Sequence, residues 1–203
     1  MKSSFKNNLA MSNHLKSLLK KVKRSLWCLG IRLLPSNVYT LARFLVFGRF
    51  FVTSCFGVGF QCHGYRKVKL GKNVLIGNYV RFQANPINIG EHSQIGHNNY
   101  LYGEIHIGRF FMSGPNVCIM AGNHGMEVNG VPMVFQNAKS KGIRIGDDVW
   151  LGCNSTILDG VNIADGSIIG AGSVVLQDTE PYAIYAGNPA KKIRDRRDYR
   201  QGE

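Results

Sequence analysis

Six histidines and five cysteines are the side chains of this 203-residue sequence best able to move protons, attack carbonyls or hold a metal. Cys28, Cys55, Cys62, Cys118 and Cys153 are odd in number, scattered and free of CxxC spacing. That pattern argues for a reducing compartment and against a disulfide framework or a zinc ribbon. Among the histidines, His124 is set apart by its surroundings: with Asn123 it opens the irregular stretch NHGMEVNGVPMVFQNAKSKG, and Glu127 follows three residues later. A hydroxyl group is a poor nucleophile at neutral pH, and an imidazole with an unperturbed pKa near 6.5 is suited to take its proton. Glu127 could orient that ring or could face water, and a lone loop histidine could equally meet only solvent. His92 and His97, five residues apart, would with His124 form a three-histidine set of the kind that holds zinc. His14, His63 and His106 have no evident partners.

What must position these groups is a repeat. A six-residue ruler marks Leu70, Ile76, Phe82, then Ile89, Ile95, Leu101, Ile107, Ser113, Ile119, then Ile145, Leu151, Ile157, Ile163, Ile169 and Val175, and only Ser113 is not apolar. Glycine follows nine of these residues, and Ala164 follows another. Six is a multiple of the strand period of two and does not fit the helical 3.6, so the pattern predicts short strands, each ended by a turn that glycine permits, wound into a coil with the marked residues inward. Small or β-branched residues two places earlier, such as Val74, Val80, Ser93, Val149 and Ser173, fit the corners of such a coil. The expected fold is mainly β, a parallel β-helix over about residues 68–178. Between Ile119 and Ile145 the ruler fails, and a loop of about 20 residues inside a compact repeat is commonly functional.

The formal net charge is +13, and it is unevenly placed. No Asp or Glu precedes Glu91, whereas residues 1–90 hold 15 Lys and Arg; residues 91–203 hold 10 basic and 12 acidic residues. Leu15, Leu18, Leu19, Val22, Leu26 and Leu29 alternate with basic residues at helical spacing, which predicts a basic amphipathic helix over 13–29. Residues 39–60 are apolar but interrupted by Arg43, Arg49 and glycines, a poor match to a spanning helix. The N-terminal segment has two readings: attachment to an anionic membrane leaflet, or a cap over the open end of the solenoid. Nucleic acid is not an expected partner, since no recognised binding motif accompanies the charge.

With the repeats, the Asn123-His124 loop, IGDDVWLG at 145–152, IIGAGSVV at 168–175 and AGNPAKKI at 186–193, the chain resembles the left-handed β-helix acetyltransferases of the hexapeptide-repeat family. The likeness is to the maltose, galactoside and surface-polysaccharide O-acetyltransferase branch. The resemblance implies a left-handed coil, a homotrimer with its site between subunits, and acetyl-CoA as acyl donor. It implies His124 as the catalytic base. The cofactor residues would be Cys153, through its amide near the thioester, then Ala171, Leu176 and Gln177 along the pantetheine path, with Lys191 and Arg194 near the nucleotide. Gln177 departs from the lysine that relatives often carry. Asn98 and Asn99, with Glu127, are candidate acceptor contacts, and Trp150 is expected to pack beneath the loop. A metal is not implied: in the β-helical carbonic anhydrases the close histidine pair follows the distant one, and here it precedes it.

The expected organisation is a basic and apolar helical segment at 1–60, a β-helix domain at 61–195 with an active-site loop at about 121–142 and a short C-terminal helix, and a tail at 196–203. The expected function is acetyl-CoA-dependent O-acetylation of a sugar hydroxyl in surface-polysaccharide assembly, in the cytoplasm and at the inner face of the membrane. A non-catalytic scaffold binding membrane or a glycan-assembly partner is the alternative.

Overall fold

A computed structural model describes residues 54–199. The helix expected at 13–29, the apolar stretch up to residue 53 and the last four residues lie outside that range. Residues 54–60, assigned above to the helical segment, begin instead with a short strand, Cys55–Phe56.

The described chain is a parallel β-solenoid with three faces. On the first, Cys55–Phe56, Leu75–Ile76, Gln94–Ile95, Met112–Ser113, Trp150–Leu151 and Ile168–Ile169 stack in register. The second and third faces are the two arms of one bent nine-stranded sheet. Arg81–Ile89 and Tyr100–Ile107 are long enough to run round the corner between them. Their leading halves pair with Gln61–His63 and Cys118–Ala121 on the second face, and their trailing halves with Val68–Leu70 and Ile143–Ile145 on the third. Thr156–Leu158 and Val174–Val175 continue the second face, and Asn162–Ile163 the third. Trp150 lies beside Ile168, eighteen residues on, so one coil takes three hexads. Met112 and Trp150 are also neighbours although thirty-eight residues apart, because the twenty additional residues leave the coil as a loop.

The inward side chains explain the ruler. Every marked residue from Ile76 onward is buried except Ser113, and the residues two places earlier point inward as well, from Val74 and Val80 to Ser167 and Ser173. These are core positions and not corners, as strand alternation requires. At the one hexad where the ruler meets a polar residue, the other inward position holds the bulky Phe111, fully buried. Ser113 Oγ accepts from the Gly96 amide at 3.0 Å and from Asn99 Nδ2 at 2.5 Å, while Asn99 Oδ1 accepts from the Val117 amide at 2.7 Å.

The glycines after the marked residues act differently from the turn role expected of them. The left-handed corner residue comes three places after the marked one: Asn73, Tyr79, His92, Asn98, Phe110, Asn116, Asp148 and Asn154 have φ between 55° and 59°, and Gly166 and Gly172 take the same position with φ of 68° and 69°. Asn and Asp tolerate that region best. Gly96, which follows Ile95, is needed for close approach, since a Cβ there would lie 2.3 Å from the carbonyl oxygen of Gly114 in the next coil.

The expected C-terminal helix is corrected. Ala183–Gly187 extends the first face, and Ala190–Asp195 returns antiparallel to it, with a single 3-10 turn at Arg196–Asp198. Pairing with an available sheet edge satisfies a row of backbone groups and overrides the helical propensity of the Lys and Arg residues. Arg196 ties the hairpin to the solenoid through the Asp148 carboxylate at 2.7 Å.

Candidate active site

The chain leaves the second face at Ala121 and rejoins the third at Ile143. Asn123 and Lys139 exchange both backbone hydrogen bonds at 2.8 Å and close the neck of the intervening loop. Below that neck, Ser140 Oγ donates to the Ala121 carbonyl at 3.0 Å, and the Asp159 carboxylate accepts from the amides of Lys141 and Gly142 at 3.0 Å. Within the loop Gln136 is a clip: Oε1 accepts from the Glu127 amide at 3.1 Å, and Nε2 donates to the carbonyls of Glu127 and Val131 at 2.8 and 2.7 Å. A side-chain amide with one acceptor and two donors suits three backbone groups that have left the sheet.

His124 directly follows the neck. Its side chain is exposed and finds no hydrogen-bond partner among the described residues. The backbone holds it in place, so the ring is free to meet a substrate. Glu127 does not orient it, because its carboxylate is paired with Lys139 Nζ. That ammonium holds the Glu127 carboxyl below the usual glutamate value. The pair's contribution to loop order is therefore complete above the ordinary glutamate pKa and fades as pH falls through the lowered one. A carbon-13 NMR titration of the Glu127 carboxyl should give a midpoint below about 4.3, and Lys139→Gln should raise it towards that value, short of it by what the backbone amides at Glu127 and Met126 contribute. An ordinary midpoint in the unsubstituted protein would show that the pair does not persist in solution.

The residues expected to meet a cofactor fall on two edges of the solenoid. Cys153 and Ala171 stack in adjacent coils where the first face meets the second, joined by the Gly172 amide donating to the Cys153 carbonyl at 2.8 Å. The amides of Cys153 and Ala171 find no acceptor among the described residues. Ala186 abuts Gly170 on this edge, and Lys191 pairs with Ala186 across the hairpin, which brings Lys191 to the same end. Arg194 lies opposite Ile184, its guanidinium 5.3 Å above the Tyr199 ring and donating to the Tyr199 hydroxyl at 3.2 Å. Leu176 and Gln177, both exposed, follow Val174–Val175 on the other edge, where the second face meets the third and from which the loop projects. Within one chain His124 and Cys153 are thus separated by the width of the second face, about 10–13 Å for a strand of three or four residues.

The other candidates take the following places. Asn99, expected as an acceptor contact, is instead a buried core residue with its side-chain amide committed to Ser113 and Val117. Asn98 is an exposed left-handed corner residue whose amide donates to the Asn78 carbonyl. Trp150 projects from the first face, 47% exposed between Met112 and Ile168, and not beneath the loop, which leaves from another edge. His92 stacks on Phe110 at 5.6 Å, and His97 Nδ1 accepts from the Asn78 amide at 2.8 Å, so both have roles at corners. No group of three His, Cys, Asp or Glu side chains among the described residues could hold a metal ion. No helix among them is long and apolar enough to cross a membrane.

The sequence reading missed Asp159 and Tyr102. Asp159 fixes the loop's return, and the Tyr102 ring lies against Gly122, two residues from His124, where a glycine Cβ would come within 3.0 Å of it. The signal for Tyr102 was available in the outward positions of NYLYG, which the ruler passes over.

The family model for the bacterial transferase hexapeptide, six repeats long, matches residues 142–177. A chloramphenicol acetyltransferase of Agrobacterium fabrum is 39% identical over 108 residues, covering 45% of this chain and 52% of that one. A galactoside O-acetyltransferase of Escherichia coli K12 is 36% identical over 115 residues, covering 47% and 57%. The chain spans about half the length, or less, of the curated relatives it matches. Among solved structures, a hexapeptide-repeat acetyltransferase of Vibrio cholerae O1 biovar eltor, complexed with acetyl coenzyme A, superposes with a TM-score of 0.57 at 26% identity, covering 82% of this chain and 81% of that one.

Proposed function

We infer that this hexapeptide-repeat chain is an acyltransferase that moves an acetyl group from acetyl-CoA to a hydroxyl of a sugar. The observation that carries the reading is the placement of His124, an exposed imidazole with no partner among the described residues, held by a closed neck where a loop interrupts the repeat. The similarity to acetyltransferases, one acting on galactosides and one solved with acetyl-CoA, supports the donor and the acceptor class.

In this reading His124 takes the proton of the acceptor hydroxyl as its oxygen attacks the thioester carbonyl carbon. The Cys153 amide donates to the developing oxyanion, which is stronger there than in the ground state. When the carbon–sulfur bond breaks, the imidazolium returns its proton to the departing sulfur, so the base is regenerated. Ala171, Leu176 and Gln177 would line the pantetheine, and Lys191 and Arg194 would meet phosphates. Because His124 and Cys153 occupy different edges, a complete site requires the edge of a neighbouring copy. A left-handed coil assembled as a trimer supplies that arrangement, and the apolar loop residues Met126, Val128, Met133, Val134 and Phe135, all exposed, would be covered by the neighbour. The basic N-terminal third suits contact with an anionic membrane beside a lipid-linked glycan on its cytoplasmic side.

The test is to incubate purified protein with acetyl-CoA and a panel of sugars, following free thiol and the mass of the acceptor. Thiol release with gain of one acetyl group on a sugar oxygen is expected. Transfer to no acceptor, with acetyl-CoA bound or not, would leave the scaffold reading in its place.

A further inference from the structure

On the second face, spanning the three coils before the loop, lies a cavity of about 600 Å³ whose lining includes His63, Tyr79, Arg81, Gln83, Asn98 and Tyr100. The outward side chains here run in two columns. Gln61, Arg81 and Tyr100 form one, and His63, Gln83, Tyr102 and Met120 form the other. Tyr100 donates its hydroxyl to Gln83 Oε1 at 2.6 Å and lies 6.4 Å from the Tyr102 ring, which rests on Gly122 at the loop root. A continuous surface of tyrosine rings and planar amides therefore leads from beside His124 into the cavity. Adjacent coils are spaced by about 4.8 Å, so the path from Met120 to His63 covers about 14 Å, room for about three sugar rings.

The charge of this surface is one-sided. None of the lining residues among those described is acidic, and no Asp or Glu occurs anywhere before Glu91. The Arg81 guanidinium is exposed and has neither an ion-pair nor a hydrogen-bond partner among the described residues. A guanidinium without a carboxylate, among amides and flat aromatic rings, matches an acidic glycan: the rings stack on sugar faces, the amides meet hydroxyls, and Arg81 grips a carboxylate in a fork.

The geometry points to an extended subsite on the second face that binds an acidic oligosaccharide, so that the acceptor is a uronate-bearing glycan chain and not a single sugar. This rests on the proposed sugar acetylation and specifies its acceptor. The first sugar would sit by His124 and those that follow would descend the Tyr102, Tyr100 and Arg81 columns.

The experiment uses the full chain and needs no acetyl donor: NMR titration with tetragalacturonate, a hyaluronan tetrasaccharide and neutral maltotetraose. At least one acidic tetrasaccharide should perturb the Arg81 and Tyr100 signals, bind more tightly than maltotetraose and weaken as salt rises. Arg81→Gln should weaken that binding about 10- to 100-fold; because the side chain is exposed and unpartnered, the fold should remain intact. Tyr100→Phe, which removes only the hydroxyl on Gln83, should weaken it less. Absence of binding by both acidic tetrasaccharides, perturbations elsewhere on the molecule, or an affinity unchanged in Arg81→Gln would each overturn the subsite. Glycan binding at Arg81 by a protein that transfers no acetyl group would sink the acetyltransferase reading alone, and acetylation of monosaccharides at a rate indifferent to Arg81 would sink the subsite alone.

Discussion

The His124→Ala protein is expected to transfer acetyl groups about 100- to 10,000-fold more slowly than the unsubstituted one, the range typical of losing a positioned general base. Its affinity for acetyl-CoA should change little. Both expectations come from the loop. The neck is held by backbone bonds between Asn123 and Lys139 and by Ser140 and Asp159 beneath it, none of which involves the imidazole. The ring itself has no partner to lose among the described residues. The groups proposed to contact the donor lie along two edges of the coil and are untouched by the substitution. Steady-state rates with direct measurement of acetyl-CoA binding separate the two quantities, and a variant that keeps its turnover would take His124 out of the mechanism.

The largest loss of stability is expected from Phe82→Ala, about 3–5 kcal/mol. Phe82 is fully buried, lies between Cys62 and Leu101 in the ladder, and meets the Phe60 ring edge-on at 5.2 Å. Its removal leaves a cavity in a stack that cannot collapse without moving the coils on either side. Such a loss is a large part of the roughly 5–15 kcal/mol that holds a typical domain folded. Leu75→Ala is the control: that residue is apolar too but projects outward from the first face, 45% exposed, and should cost within about 0.5 kcal/mol. Chemical denaturation of the two variants compares them, and equal losses would contradict the assignment of inner and outer faces.

The six-residue spacing made the fold legible because it reports a physical necessity: in a coil of three short strands, the same position of every hexad faces the same core. From Ile76 to Val175 the marked residues lie where that logic puts them. The spacing could not show why glycine follows them. Gly96 looks like a turn residue in the sequence, yet the left-handed corner belongs to Asn98 and the glycine answers to a backbone in the next coil, eighteen residues away. Asn99 was misread for a similar reason, since an asparagine on a surface and one bonded inside a core are alike until the partner Ser113 is known. The residues after Asn188 read as helical from composition alone, and became a strand because the end of the first face offered an edge. The loop was visible as a failure of register, and His124 as its first reactive side chain, whereas the fixing of that loop by Asp159 depends on coil stacking that no local pattern reports.

In a chain built of near-identical hexads, the most accessible error during folding is slippage: a strand could stack one hexad out of place and still bury an apolar residue at every marked position. The Asn99–Ser113 contact makes that substitution of neighbours unequal. Moved by six residues, Asn99 could still accept from a backbone amide, which every hexad presents, but its Nδ2 would face an apolar side chain and lose the Ser113 hydroxyl as its acceptor inside the core. An unpaired buried amide costs about 1–3 kcal/mol, a bias that acts only on the misaligned stack. The Asn99–Ser113 pair thus serves as a reference mark for the winding, and the one polar residue among the marked positions is a place where the coil can tell which turn it is on.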